Sequence, residues 1–200
     1  MTYNPHAMRS SWTRFLHASL AAQHGAVVYG SEAELTDSVG AYLAAGFDLS
    51  EPALVVATAD HYEAFVDRLG SCGWDAAELE RSGRLRREDA AATLESVLED
   101  GRPSPKRFED VVGGAIDELS FGFPGSQLRV FGEMVDLLCV RGDAIAAAEL
   151  ESLWNRLALR RRFSLLCGYR RGLFLSEPSL LDQVCDAHTH VHADGLPAPA

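Results

Sequence analysis

A few residues carry types and spacings that could do chemistry. The turn "YGSEAELT", Tyr29 to Thr36, follows an apolar run and opens a helix, which is the layout of a phosphate-cradling loop. Such a loop works through G-x-x-x-x-G-K-[ST]: glycines let backbone N–H groups wrap the phosphates, lysine neutralises them, and the hydroxyl holds magnesium. This turn has one glycine, no lysine, and Glu32 and Glu34 where negative charge repels phosphate. Ser31, with Glu34 three residues on, reads instead as a capping box, and the helix N-terminus behind it could still hold an anion weakly.

Glu133 stands directly after Gly132 at the end of an apolar run. A carboxylate there either accepts hydrogen bonds from loop amides as an anchor or faces a cleft as a ligand acceptor. Cys167 and Tyr169 flank Gly168 and are expected on alternate faces of their strand, so that at most one reaches a given cleft. Cys167 reads as a small buried residue or a reactive thiol, and Tyr169 as a ring and hydroxyl closing the cleft. Arg160 to Arg162 and the pair Arg170 and Arg171 concentrate positive charge in an acidic chain, either as solvated ends or as a docking patch for an acidic partner. Cys185, His188, His190 and His192 lie within eight residues, but a structural zinc site usually draws on two separate segments, and no metal ligand is assigned.

The elements that must position these residues follow from pattern. "AVVY", "PALVVAT", "QLRVFGEM" and "FSLLCGY" are short apolar runs that read as strands buried on both faces, and "GRLRREDA" reads as an edge strand. Between them, stretches such as "HYEAFVDRLGSCG" place Tyr62, Phe65, Val66 and Leu69 on one helical face. Helices are expected over 12–22, 76–82, 93–101, 108–121 and 135–140, with another capped by Asp143, and Asp60 is expected to cap the helix after the second strand. Alternation of this kind predicts an α/β fold: three layers, α/β/α, around a mostly parallel sheet. Ligands in such sheets sit at the carboxyl ends of the strands, at a switch point. That selects residues 29–32, 58–61, 132–134 and 167–171.

Composition narrows the function. The chain has 200 residues, 47% of them hydrophobic and 24% charged, which suits one soluble domain. A net charge of −11, from 29 acidic and 18 basic residues, argues against a nucleic-acid module. Lys106 is the only lysine. No apolar run is long enough to span a membrane, and four scattered cysteines fit a reducing cytoplasm better than a disulfide framework.

The runs "HGAVVYGSEAELTDSVGAYLAAGF", "VVATADHYEAFVDRLGSCGWD", "LRVFGEMVDLL", "AAAELESLWNRL" and "LLCGYRRGLF" resemble the MEDS domain, the methanogen and methylotroph sensory domain. That family is similar to the RecA and KaiC class of ATPases with the nucleotide signature eroded. The resemblance implies a RecA-like sheet without a functional P-loop and a non-catalytic sensory domain with no cofactor. The expected domains are a helical extension over 1–23, a MEDS-like domain over 24–188 and a flexible tail over 189–200. A small organic ligand is expected in a switch-point cleft formed by Tyr29, Ser31, Glu32, Glu133, Cys167 and Tyr169. Arg170 and Arg171 are expected to meet a regulatory protein in trans, of histidine-kinase or anti-sigma type. Association as a homodimer is compatible with that reading. An enzyme, either a residual nucleotide hydrolase or a metal-assisted hydrolase, and a ligand-free adaptor stand as the alternatives.

Overall fold

The structure is a computed structural model that describes residues 5–176 and 179–193. In chain order its elements are α1 (Pro5–Ala18), β1 (His24–Tyr29), α2 (Glu32–Asp48), β2 (Ala53–Ala57), α3 (Ala59–Ser71), α4 (Ala76–Arg81), β3 (Leu85–Asp89) and α5 (Ala90–Val97). There follow β4 (Leu98–Glu99), β5 (Arg102–Pro103), α6 (Pro105–Phe108), α7 (Gly114–Gly122), β6 (Leu128–Gly132) and α8 (Met134–Val140). The chain continues with α9 (Ala144–Ala158), β7 (Phe163–Arg170), α10 (Arg171–Ser176), α11 (Ser179–Ala187) and β8 (His190–His192).

Six strands form one sheet in the order β3-β2-β6-β7-β1-β8, and every pairing in it is parallel. Strands β1, β2 and β6 are buried at every position, as parallel strands covered on both faces must be. The edge strand β3 instead alternates, with Leu85 buried and Asp89 exposed. Because neighbouring strand residues face opposite ways, the core divides in two. Val27, Tyr29, Val55, Phe131 and Leu166 pack under α1 to α4. Ala26, Val28, Val56, Val130, Cys167 and Tyr169 pack under the helices from α5 to α11. The expected three-layer α/β architecture is the one observed.

Local chemistry explains the differences in detail. Helix α5 ends at Val97, short of the expected helix to Gly101, because Asp100 and Gly101 take positive φ of 50° and 77° and turn the chain into the β4–β5 hairpin. The expected helix over 108–121 is interrupted by a π-helical turn over Glu109–Gly113. Thr58, and not Asp60, takes the N-cap position of α3, without a side-chain cap bond.

The tail expected to be flexible from residue 189 forms β8, which pairs with β1 through Gly25, Ala26 and Val27. Strand β1 would otherwise present a bare edge, and the rings of His190 and His192 stack on Phe15 and Trp12. The rest of that tail, 194–200, lies outside the described residues. At the opposite end of β6, fully buried Arg129 bonds Glu51 at 2.7 Å and the carbonyls of Leu16 and Tyr42 at 2.5 and 2.9 Å, locking α1 and α2 onto the sheet.

Candidate functional site

At the carboxyl ends of the strands, Ser31 caps α2 by accepting the Glu34 N–H at 3.3 Å. Glu34 returns its carboxylate to the N–H of Gly30 at 2.6 Å and also binds Arg171 at 2.7 Å. A Cβ on Gly30 would come within 2.5 Å of the Arg171 guanidinium, so glycine is what lets the arginine close over the turn. The turn that resembles a phosphate loop is thus filled by the chain's own carboxylate and guanidinium.

Glu133 is 3% exposed. One of its oxygens accepts the Thr58 N–H at the start of α3, and the other meets His61 Nδ1. On its far side, His61 Nε2 reaches exposed Glu32 at 2.7 Å. Donation of the ring N–H to Glu133 raises the His61 pKa against the opposing effect of burial, so the ring is held toward its charged form. With both oxygens engaged, Glu133 has the geometry of an anchor that ties the end of β6 to the start of α3.

Beside it, burial pushes Asp136 up to about 6, although the Arg170 backbone N–H donates to it at 2.9 Å and the guanidinium lies 3.2 Å away. Arg170 also donates to the Tyr29 hydroxyl at 3.3 Å. Tyr29, Ser31, Glu32, Glu133, Arg170 and Arg171 therefore do gather at one end of the sheet. Cys167 and Tyr169 do not join them.

Those two residues share one face, contrary to the expected alternation, because residues two apart on a strand point the same way. Both turn toward α9. The Tyr169 hydroxyl donates to Glu151 of α9, and the Cys167 sulfur lies 3.2 Å from His24 Nε2. Burial, reinforced by the Glu151 charge, raises both the Cys167 and Tyr169 pKa values well above their usual ranges, so neither ionises readily by itself. Burial and neighbouring His188 push His24 down to about 4.

Next to this group, a cavity of about 380 Å³ opens between α9 and the α10–α11 pair. Its walls include Ala147, Leu173, Phe174, Leu180 and Val184, with Tyr169 and Glu151 at the sheet end. The cavity is on the helical face of the sheet, away from the strand-end residues on which sequence reasoning placed the ligand.

Sequence reasoning passed over His24, Asp136 and Glu151, and it selected His61 only as the last residue of the 58–61 strand end. The clearest available signal was Glu151: it lies four residues after Ala147 and three before Trp154, on the buried stripe of α9. An acid on an apolar helical face needs a partner to justify its burial.

The sequence model of the methanogen/methylotroph, DcmR sensory domain (MEDS) matches residues 23–189. Among solved structures, a KaiC-like protein from the hyperthermophilic archaeon Pyrococcus horikoshii OT3 is similar with a TM-score of 0.54 and 13% identity. The likeness covers 76% of this chain and 65% of that one, and at that identity it speaks to the fold. No curated protein matches the chain. No helix among the described residues is long and apolar enough to cross a membrane.

Proposed function

The chain belongs to the MEDS family of sensory domains, and from that premise we propose that it binds a small organic molecule in the cavity between α9 and α10–α11. The bound state is then passed to a regulatory protein in trans, of the histidine-kinase or anti-sigma type. The observation that carries this reading is the cavity itself. Its volume of about 380 Å³ and its largely apolar wall, closed by a tyrosine and a carboxylate, suit a small, mostly apolar ligand with one polar group.

A route for the signal runs along the chain. Strand β7 passes straight into α10 at Arg170 and Arg171, so a shift of α10 around a ligand pulls on both arginines. Arg170 is tied to Asp136 and Tyr29, and Arg171 to Glu34 at the start of α2. Ligand occupancy in one layer would thereby reach the surface of the other, where the arginines meet the partner.

A non-catalytic role is supported by the β1–α2 turn. The Gly30 N–H and one nitrogen of the Arg171 guanidinium, which could serve a phosphate, are both engaged by Glu34. ATP and GTP are expected to bind no more tightly than about 1 mM, since the turn lacks the lysine and glycines of a working loop.

The test compares wild type with Ala147→Phe, which fills the cavity wall. Native mass spectrometry of the purified protein and ligand-observed NMR against a small-fragment set are expected to find a ligand on the wild type and none on the folded variant. Equal binding by both proteins, fragment shifts confined to the strand ends, or nucleotide hydrolysis above a blank would overturn the reading.

A further inference from the structure

Four side chains from four separate parts of the chain converge between the sheet and α9. His24 opens β1, Cys167 lies on β7, Glu151 is on α9, and His188 follows α11; all are buried, and their ligating atoms lie within 4.8 Å of one another. His24 Nε2 is 3.2 Å from Cys167 Sγ and 3.4 Å from Glu151 Oε2, and His188 Nε2 is 3.4 Å from Glu151 Oε1. For metal–ligand bonds of about 2.0 to 2.3 Å, the edges of a tetrahedron run roughly 3.3 to 3.8 Å. The three spacings are close to those edges, and the widest, up to 4.8 Å, would close by about 1 Å around an ion.

The outer hydrogen bonds fix which ring nitrogens carry protons. Asn155 Nδ2 donates to the Ala187 carbonyl at 3.0 Å, which leaves its Oδ1 facing His24 Nδ1 at 3.0 Å. An amide oxygen only accepts, so His24 Nδ1 must be the donor. His188 Nδ1 faces the Val184 carbonyl at 2.6 Å and must donate as well. With the rings neutral, as a metal site requires, each Nε2 would turn a lone pair inward, that of His24 toward the Cys167 sulfur and that of His188 toward Glu151.

The consequence is a buried group rich in acceptors, whose side-chain donors are the Cys167 thiol and the Tyr169 hydroxyl. Tyr169 supplies a donor to Glu151 Oε1, but Glu151 Oε2 and His188 Nε2 have no hydrogen-bond partner. Buried polar atoms are rarely left so, because an orphaned group loses its water without replacement. A single cation at the centre would take both imidazole Nε2 atoms, the sulfur and one Glu151 oxygen as ligands.

We propose that His24, Glu151, Cys167 and His188 bind one divalent metal ion of the zinc class, through both imidazole Nε2 atoms, the Cys167 sulfur and a Glu151 oxygen. On binding, the Cys167 S–H bond breaks, its proton leaves to solvent, and the thiolate electron pair forms the metal–sulfur bond. Two nitrogens, a sulfur and one oxygen favour zinc over magnesium or calcium, which prefer all-oxygen shells. Asn155 and the Val184 carbonyl on the rings, with Tyr169 on the carboxylate, supply the outer shell that orients such ligands. Through His188 the metal ties the segment after α11 to β1, β7 and α9, and so braces one wall of the neighbouring cavity. The proposal does not depend on that cavity holding a ligand.

The experiment uses the full chain, stripped with a chelator and titrated with Co²⁺ alone. Wild type is expected to take up one equivalent and to develop tetrahedral visible absorption with a near-ultraviolet thiolate-to-cobalt band, both erased by Zn²⁺. Cys167→Ser should lose the near-ultraviolet band, and His188→Gln should weaken Co²⁺ binding by at least about 10-fold, as loss of metal-site partners does. Should Cys167→Ser fail to fold, Cys72→Ser, Cys139→Ser and Cys185→Ser decide the matter: the band must survive in all three. No Co²⁺ uptake by wild type, uptake without a thiolate band, or a band lost with Cys72, Cys139 or Cys185 would overturn the proposal.

Discussion

Two carboxylates in this protein are almost equally buried, Glu133 at 3% and Glu151 at 4% exposure, yet their surroundings are opposite. Glu133, at the end of β6, has a donor for each oxygen: a backbone N–H and an imidazole that a second carboxylate helps to hold charged. Glu151, on α9, has a tyrosine hydroxyl on one oxygen and two imidazole Nε2 atoms at 3.4 Å, beyond a good hydrogen bond. The difference teaches how to read a buried acid. Where the chain itself supplies a donor for each oxygen, the acid is part of the scaffold; where an oxygen is left without one, as at Glu151, the proposed cation would complete the arrangement.

The largest effect is expected from breaking the Glu133 side. Glu133→Ala orphans the Thr58 N–H and His61, at about 1 to 3 kcal/mol for each donor left unpaired, and Glu133→Gln should lose less because its carbonyl still accepts. Urea unfolding measures both variants. An alanine variant as stable as wild type would remove Glu133 from the scaffold and end the contrast.

Next in size is a pH effect at the same end of the sheet. Asp136 is raised by burial to about 6, with Arg170 opposing the shift and Glu133 adding to it. Its folded proton affinity thus exceeds its unfolded one, and its contribution to stability grows as pH falls from about 6 to about 4. His61 has the same sign, since its folded pKa is also raised: its contribution is complete below the unfolded value of 6.5 and is lost as pH rises through the folded one. Stability should therefore decline as pH rises across this range, and Asp136→Asn should flatten the acid part of the curve by on the order of 1 kcal/mol. Thermal melts from pH 4 to 8 check the slope.

The Glu151 side is sharpened by a smaller change of opposite sign. In metal-free protein, Glu151→Gln keeps an acceptor for Tyr169 and adds an N–H that can meet a ring lone pair. Its stability should hold or rise by up to about 1 kcal/mol. A loss as large as that of Glu133→Ala would mean that Glu151 too is a satisfied anchor.

The smallest effect belongs to the tail histidines. Replacing His190 and His192 by alanine removes two half-buried ring stacks, on Phe15 and Trp12, at less than about 1 kcal/mol. The Co²⁺ spectrum should be unchanged, because among the two it is neither ring but His188 that reaches the buried cluster.

Much of the strand-end region could be read in advance. Ser31 and Glu34 announce the α2 cap by their spacing, and the apolar runs announce strands covered on both faces. The binding residues were harder, because two of those grouped together, Cys167 and Tyr169, turn toward α9, away from Glu133. Cys185, His188, His190 and His192 look like one group in the chain. Strand β8 separates them by laying His190 and His192 against α1 while His188 stays in the interior.

The sequence by itself determined the layers, the Ser31 cap of α2 and a β1–α2 turn without lysine, because each depends on periodicity or chemistry within a few residues of chain. Only the tertiary structure decided which partners the two buried acids meet. His24 and Cys167 lie 143 positions apart and touch because β1 and β7 pair in one register, His24 opposite Leu165. A shift of one residue in that pairing would turn the cysteine to the other face, and no local pattern encodes the register.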